Sequence, residues 1–169
     1  MKKDLGIIFG LFFIVVVLLV FGRGFTSAGF LSNTATSSGQ TSRMKGNVSL
    51  TAKTLSIDAQ VVATPSDRKK GLSGRESLPL NHGMLFVFEQ KAQYGIWMKD
   101  MQFPIDIIWI GEDKRIVDIV FSATVEKGKR DSELTVYKPK EAAKYILEIN
   151  AGLSRLHELS VGDLVNFEL

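Results

Sequence analysis

The sequence predicts a mainly β domain, a small sandwich or barrel with two or three short helices, preceded by one N-terminal transmembrane helix. Three observations predict it. Residues 5–21 (LGIIFGLFFIVVVLLVF) are apolar throughout and carry no charge. Residues 22–47 then change abruptly to Ser, Thr, Gly and Asn. Beyond them, short apolar runs of strand length recur between Gly, Pro, Asn and Asp, a pattern that favours a sandwich or barrel over a βαβ sheet.

Residues 1–22 form the first segment. A helix over the 17 apolar positions is ~25 Å long at 1.5 Å per residue, the short end of what crosses a bilayer core. A lone segment in lipid has to bond its backbone internally, which only a helix does. Lys2 and Lys3 ahead of it favour a cytoplasmic N-terminus and an outward C-terminal domain. A cleaved signal peptide is the other reading, since Thr26, Ser27 and Ala28 offer small residues where a peptidase could cut. One reading gives a single-pass membrane protein and the other a secreted one cleaved near Ala28; both export the domain. Residues 23–47 show no hydrophobic period and cannot repay their ordering entropy, so they are expected to be a flexible linker.

The domain is expected over residues 48–169. Leu55, Ile57, Ala59 and Val61 alternate with Ser56, Asp58 and Gln60, the period of a half-buried strand. Thr64, Pro65 and Asp67 carry the cap, first-turn proline and capping-box acid of a short helix that stops at Gly71. Asn81, His82 and Gly83 read as a turn before a strand at 84–88 (MLFVF), and 95–99 (GIWMK) as another strand. Residues 105–110 and 115–124, joined by a GEDK turn, read as a hairpin. Residues 125–140 are charged and loop-like, with a helical turn expected at 141–143. A strand at 145–150, a short helix at 153–159 and a strand at 164–169 close the chain, about seven strands in all.

Charge and composition exclude several functions. The chain is +3 with a pI near 9.1. Five of its 21 Lys and Arg and one of its 18 Asp and Glu fall in residues 1–47, leaving 16 basic and 17 acidic residues in 48–169. The domain is therefore near neutral and lacks the basic footprint of a nucleic-acid partner. No cysteine is present, which excludes disulfides, thiolate nucleophiles and Cys-based metal sites. Two distant histidines do not suggest a zinc site, and phosphate-loop, dinucleotide and nucleophile-elbow patterns are absent, so no metal and no cofactor is expected.

Asp106 stands out among the candidate site residues. Alternation along 105–110 puts it on the same face as Ile108 and Ile110, and a carboxylate on an apolar face needs a partner. Lys99, Arg75 and Arg68 could supply one. Trp97 and Lys99, two apart on a strand, share a face and suit a sugar, peptide or carboxylate. Arg75 follows a tight GLSG loop, where its fork could hold Asp106 or a ligand carboxylate. Arg75, Trp97, Lys99 and Asp106 form the expected ligand-binding set, with Arg68 and His82 as secondary candidates. The competing structural readings are an ion-paired or turn-capping Asp106, Trp97 as core filler, and Lys99 and Arg75 as solvated charges.

Residues 64–88 (TPSDRKKGLSGRESLPLNHGMLFVF), 97–110 (WMKDMQFPIDIIWI), 145–152 (YILEINAG) and 162–165 (GDLV) together resemble the bacterial and archaeal "domain of unknown function 192" family. The resemblance runs over about residues 50–169. It implies a compact, mainly β, sandwich-like domain, often behind a signal or anchor segment, and no established activity. Ser73 stands at the family's usual Met, Asp100 and Met101 at its usual Asn-Thr pair, and the 125–140 loop lacks the Cys often found there.

Three function classes follow. The first is a binding or accessory module of the cell envelope, taking a small molecule or an envelope protein and attached to the membrane through residues 5–21. The second is an extracytoplasmic hydrolase with Asp106 and His82 as acid and base. The third is an envelope assembly protein that pairs through an exposed β edge.

Overall fold

The computed structural model describes residues 46–169. Two α-helices, one 3-10 turn and eight strands make the domain mainly β. Strands β1 (Asn47–Ala52), β2 (Leu55–Val62), β3 (His82–Ala92), β5 (Ile105–Ile110), β6 (Ile116–Ala123) and β8 (Ala143–Asn150) form one mixed sheet in the order β1-β2-β3-β8-β5-β6. A separate two-stranded sheet pairs β4 (Ile96–Trp97) with β7 (Val136–Tyr137).

The alternation at 55–61 gives β2 as expected, with Leu55, Ile57, Ala59 and Val61 buried. Helix α1 (Pro65–Lys70) starts and stops where its signals place it. Thr64 Oγ1 accepts from the Asp67 amide at 3.1 Å, and the Gly71 amide donates to the Asp67 carbonyl at 2.9 Å. This helix lies in the crossover from β2 to β3, which run parallel with Asp58 opposite His82 and Val62 opposite Phe86. A parallel pair needs such a crossover, and among the described residues it is the one βαβ-like unit in a domain where the sequence favours a sandwich or barrel. Every other ladder in the main sheet is antiparallel.

Several expectations change. Asn81 precedes the sheet, but His82 and Gly83 already belong to β3. Gly83 is required there by packing, because a Cβ would meet the Glu148 carbonyl oxygen and Ile57 Cγ2, each at 2.9 Å. The helical turn expected at 141–143 is absent, and Ala143 opens β8, tied in register to Ala92. The 125–140 loop carries a 3-10 turn (Asp131–Glu133) and β7. The expected final strand shrinks to two single bridges, Arg115 with Leu164 and Thr51 with Asn166.

Those two bridges matter more than their size. They run the C-terminal chain from the start of β6 to the edge strand β1, across the open side of the sheet. Val165 and Phe167 go inward and join Leu50, Ile57, Leu85, Ile108, Leu147 and Ile149 in one core. The opposite face carries a second core of Met84, Phe86, Ile105, Ile107, Trp109 and Ile146, covered by Leu72, Leu78, Met98 and Met101 from the irregular segments. The sheet is therefore buried on both faces, which explains the continuous apolar runs in β5 and β8. Among the described residues no helix is long and apolar enough to cross a membrane. The expected transmembrane segment and the greater part of the linker lie outside the described residues.

Candidate functional site

The second core is not fully covered. Where β3 passes β8, the register breaks between Val87 and Ala92, so residues 88–91 have no partners in β8. Phe88 stacks on Tyr94, ring centroids 3.6 Å apart at 12°. Trp109, buried in β5, holds this corner by donating its indole N–H to the Tyr94 carbonyl at 2.9 Å. On the other side, Ser73 Oγ donates to the Lys99 carbonyl (2.8 Å) and the Gly74 amide to the Asp100 carbonyl (2.9 Å). These bonds join the end of α1 to the segment bearing Trp97.

Between them opens a cleft of about 280 Å³. Arg68, Lys69 and Lys70 line it from α1, Phe86 and Phe88 from β3, and Tyr94 and Trp97 from the chain beyond. Glu148 of β8 lines it as well. In register this residue sits between Met84 of β3 and Ile107 of β5, in the middle of the sheet and at the base of the cleft. It is 5% exposed and has no hydrogen-bond partner among the described residues. Burial alone pushes its carboxyl up to about 8, so it keeps its proton at neutral pH. Sequence reasoning passed over it, although Glu148 interrupts the apolar run YILEI as Asp106 interrupts IDIIWI.

The expected ligand-binding set is not brought together. Asp106 is fully buried on the first-core face, as its alternation with Ile108 and Ile110 implies. None of the expected cations reaches it. Its carboxylate accepts instead from the amides of Ser122 (2.8 Å), Gly152 (3.1 Å) and Ser154 (2.8 Å). It thereby ties β5 to the bulged end of β6 and to the start of helix α2 (Leu153–Leu156). Arg75 donates to Gln60 Oε1 at 2.6 Å and does not line the cleft.

Lys99 is paired with Asp131, and that hydrogen bond holds its ammonium above the usual lysine range. It lies 5.9 Å from the Trp97 ring, so the pair shares a site, but outside the cleft proper. Trp97 and the secondary candidate Arg68 do line the cleft. His82 is separated from Asp106 by the sheet itself. Asp106 pairs with Ile149, and Ile149 with Gly83, so these three share a face and His82, one residue earlier, points to the other. The acid–base pair expected of a hydrolase is therefore not formed. Among the described residues no three His, Asp or Glu side chains converge as a metal site.

A family model described as DUF192, "Uncharacterized ACR", matches residues 48–167. The UPF0127 protein of Thermococcus kodakarensis is 36% identical over 90 residues, covering 52% of this chain and 52% of the relative. That of Thermococcus gammatolerans is 32% identical over 92 residues, covering 53% and 54%. The chain thus spans about half the length of the curated relatives it matches. A solved structure of a putative transcription regulator from Sinorhizobium meliloti has a TM-score of 0.64 at 28% identity, over 76% of this chain and 98% of that one. A protein of unknown function from Novosphingobium aromaticivorans has a TM-score of 0.63 at 23% identity, over 83% and 99%. The last is a likeness of fold alone.

Proposed function

The chain belongs to the DUF192 family, and we propose that its described domain is a small-molecule-binding module with its ligand in the cleft over Glu148. One observation carries the proposal: a largely buried carboxyl, with no hydrogen-bond partner among the described residues, lines an open, aromatic-lined cleft. A carboxyl held largely out of bulk water yet facing an open cleft is a natural contact for a bound molecule. The apolar run at 5–21 behind Lys2 and Lys3 supports a membrane tether that presents the module outside the cytoplasm.

Other readings have less behind them. The Sinorhizobium relative is described as a putative transcription regulator, but residues 48–169 have no net basic charge to attract nucleic acid. A hydrolase loses the Asp106–His82 pair. Recruitment through a β edge is disfavoured, since the C-terminal chain bridges β1 at Thr51 and meets Arg115 beside β6.

The test is a thermal-shift screen of small molecules against the full chain in detergent, run in parallel on Trp97→Ala. Compounds that raise the melting temperature of the parent and not of the variant support the cleft. If every hit acts equally on both proteins, or no compound acts, the reading is wrong. Protease protection of the C-terminal domain in sealed cells tests the tether, with digestion only after lysis as the outcome against it.

A further inference from the structure

The groups around the cleft also define the kind of molecule that fits it. Trp97 is 42% exposed and has no aromatic partner among the described residues, whereas Phe88 and Tyr94 already stack on each other. An exposed indole face beside a cleft is best covered by another flat ring. Arg68 lies 4.7 Å over the Phe88 ring and uses Nη1 on the Ala63 and Val87 carbonyls. Its Nε and Nη2 have no partner among the described residues. Neither Arg68 nor Lys69 nor Lys70 has a carboxylate within ion-pair distance among the described residues, although neighbouring Lys99 is matched by Asp131. Three cations without an ion-pair partner among the described residues favour an anion and repel an amine. At the base, a carboxyl that bears its proton donates a hydrogen bond and calls for an acceptor.

Resting on the reading of this cleft as a binding site, we infer that its ligand is a flat aromatic carboxylate with a hydrogen-bond acceptor at its far end. The ring lies on Trp97, the carboxylate faces Arg68, Lys69 and Lys70, and the acceptor reaches Glu148. Glu148 shares its sheet face with His82, two residues before Met84 on β3. Met84 and Ile107 flank it in register, and the charged or titratable residues lining the cleft are Arg68, Lys69, Lys70 and Tyr94.

The probe is 6-methoxy-2-naphthoate, whose carboxylate and ether oxygen sit at opposite ends of a flat ring system. Its neutral amide and the corresponding naphthylmethylamine are the matched controls. Isothermal titration calorimetry on the full chain in detergent is expected to show the carboxylate binding at least about 10-fold more tightly than either control, a difference of about 1.4 kcal/mol. Affinity is expected to fall about 10-fold between pH 6.5 and pH 9.5. Glu148→Gln, which keeps a donor and cannot ionise, flattens that pH profile, and Trp97→Leu weakens binding at every pH. Amide or amine binding as tightly as the carboxylate would overturn the anion inference and leave the site standing. The same pH profile in parent and Glu148→Gln overturns the acceptor contact. Failure of all three naphthalenes to bind, with Trp97→Leu no different, removes the inference and the site together.

Discussion

Glu148 and Asp106 are two carboxyls in neighbouring strands, both nearly inaccessible to water, and the fold treats them in opposite ways. Asp106 receives three backbone amides, enough to replace its lost hydration. Glu148 receives none and stays neutral instead. The difference has a pH signature. In the unfolded chain Glu148 ionises near 4.5, and in the fold it holds its proton to about 8. Between those values the unfolded chain has released a proton that the folded one still binds, so stability falls as pH rises and the loss is complete above about 8. Glu148→Gln removes this dependence. The two proteins should melt alike near pH 4, and the variant should be more stable at pH 9 by a few kcal/mol. Thermal denaturation at the two pH values checks this; equal melting at both would mean that Glu148 is not the buried acid described.

Between elements, Asp106 acts as a junction. Its carboxylate joins β5 to the end of β6, where Ser122 takes a left-handed φ of 55°, and to the Gly152 turn that opens α2. Asp106→Ala leaves three amides without their acceptor, at ~1–3 kcal/mol for each that stays buried, and is expected to lower stability by about 3 kcal/mol or more. Asp106→Asn, which keeps one acceptor oxygen, should fall between. Urea unfolding measures both. Because Asp106 lies on the face away from the cleft, 6-methoxy-2-naphthoate affinity of the folded variant should be unchanged; weakened binding would return Asp106 to the site. These element boundaries were unevenly legible in the sequence. Thr64, Pro65 and Gly71 set the limits of α1 through local hydrogen bonds, so the sequence was enough. The absence of a helical turn at 141–143 depends on β8 pairing with Ala92 and Ile110, residues far away in the chain.

Across the whole domain, stability depends on the last six residues closing the open side of the sheet. Val165 and Phe167 are buried in the first core, and Lys114 Nζ donates to the Phe167 carbonyl at 2.6 Å. A chain ending at Asp163 loses both side chains, each deletion of a large core group costing about 2–5 kcal/mol, and exposes the interior between β1 and β6. It is expected to lose its cooperative thermal transition while keeping β-type circular dichroism. A cooperative melt within a few degrees of the parent would show that the closing chain is dispensable.

The sequence by itself determined the mainly β class, the apolar run at 5–21, the near-neutral domain, α1 and the burial of Asp106. Each depends on local spacing, on composition or on the alternation of one strand. Tertiary structure alone decided which buried acid is satisfied and which is not. It also decided that Trp97 and Arg68 meet at one cleft while Arg75 and Asp106 lie elsewhere, and that Glu148 forms the base of that cleft. The reason is physical: a side chain's face can be read from its own strand, but its partners come from other strands, and only the register between them places an amide, a cation or an open space beside it.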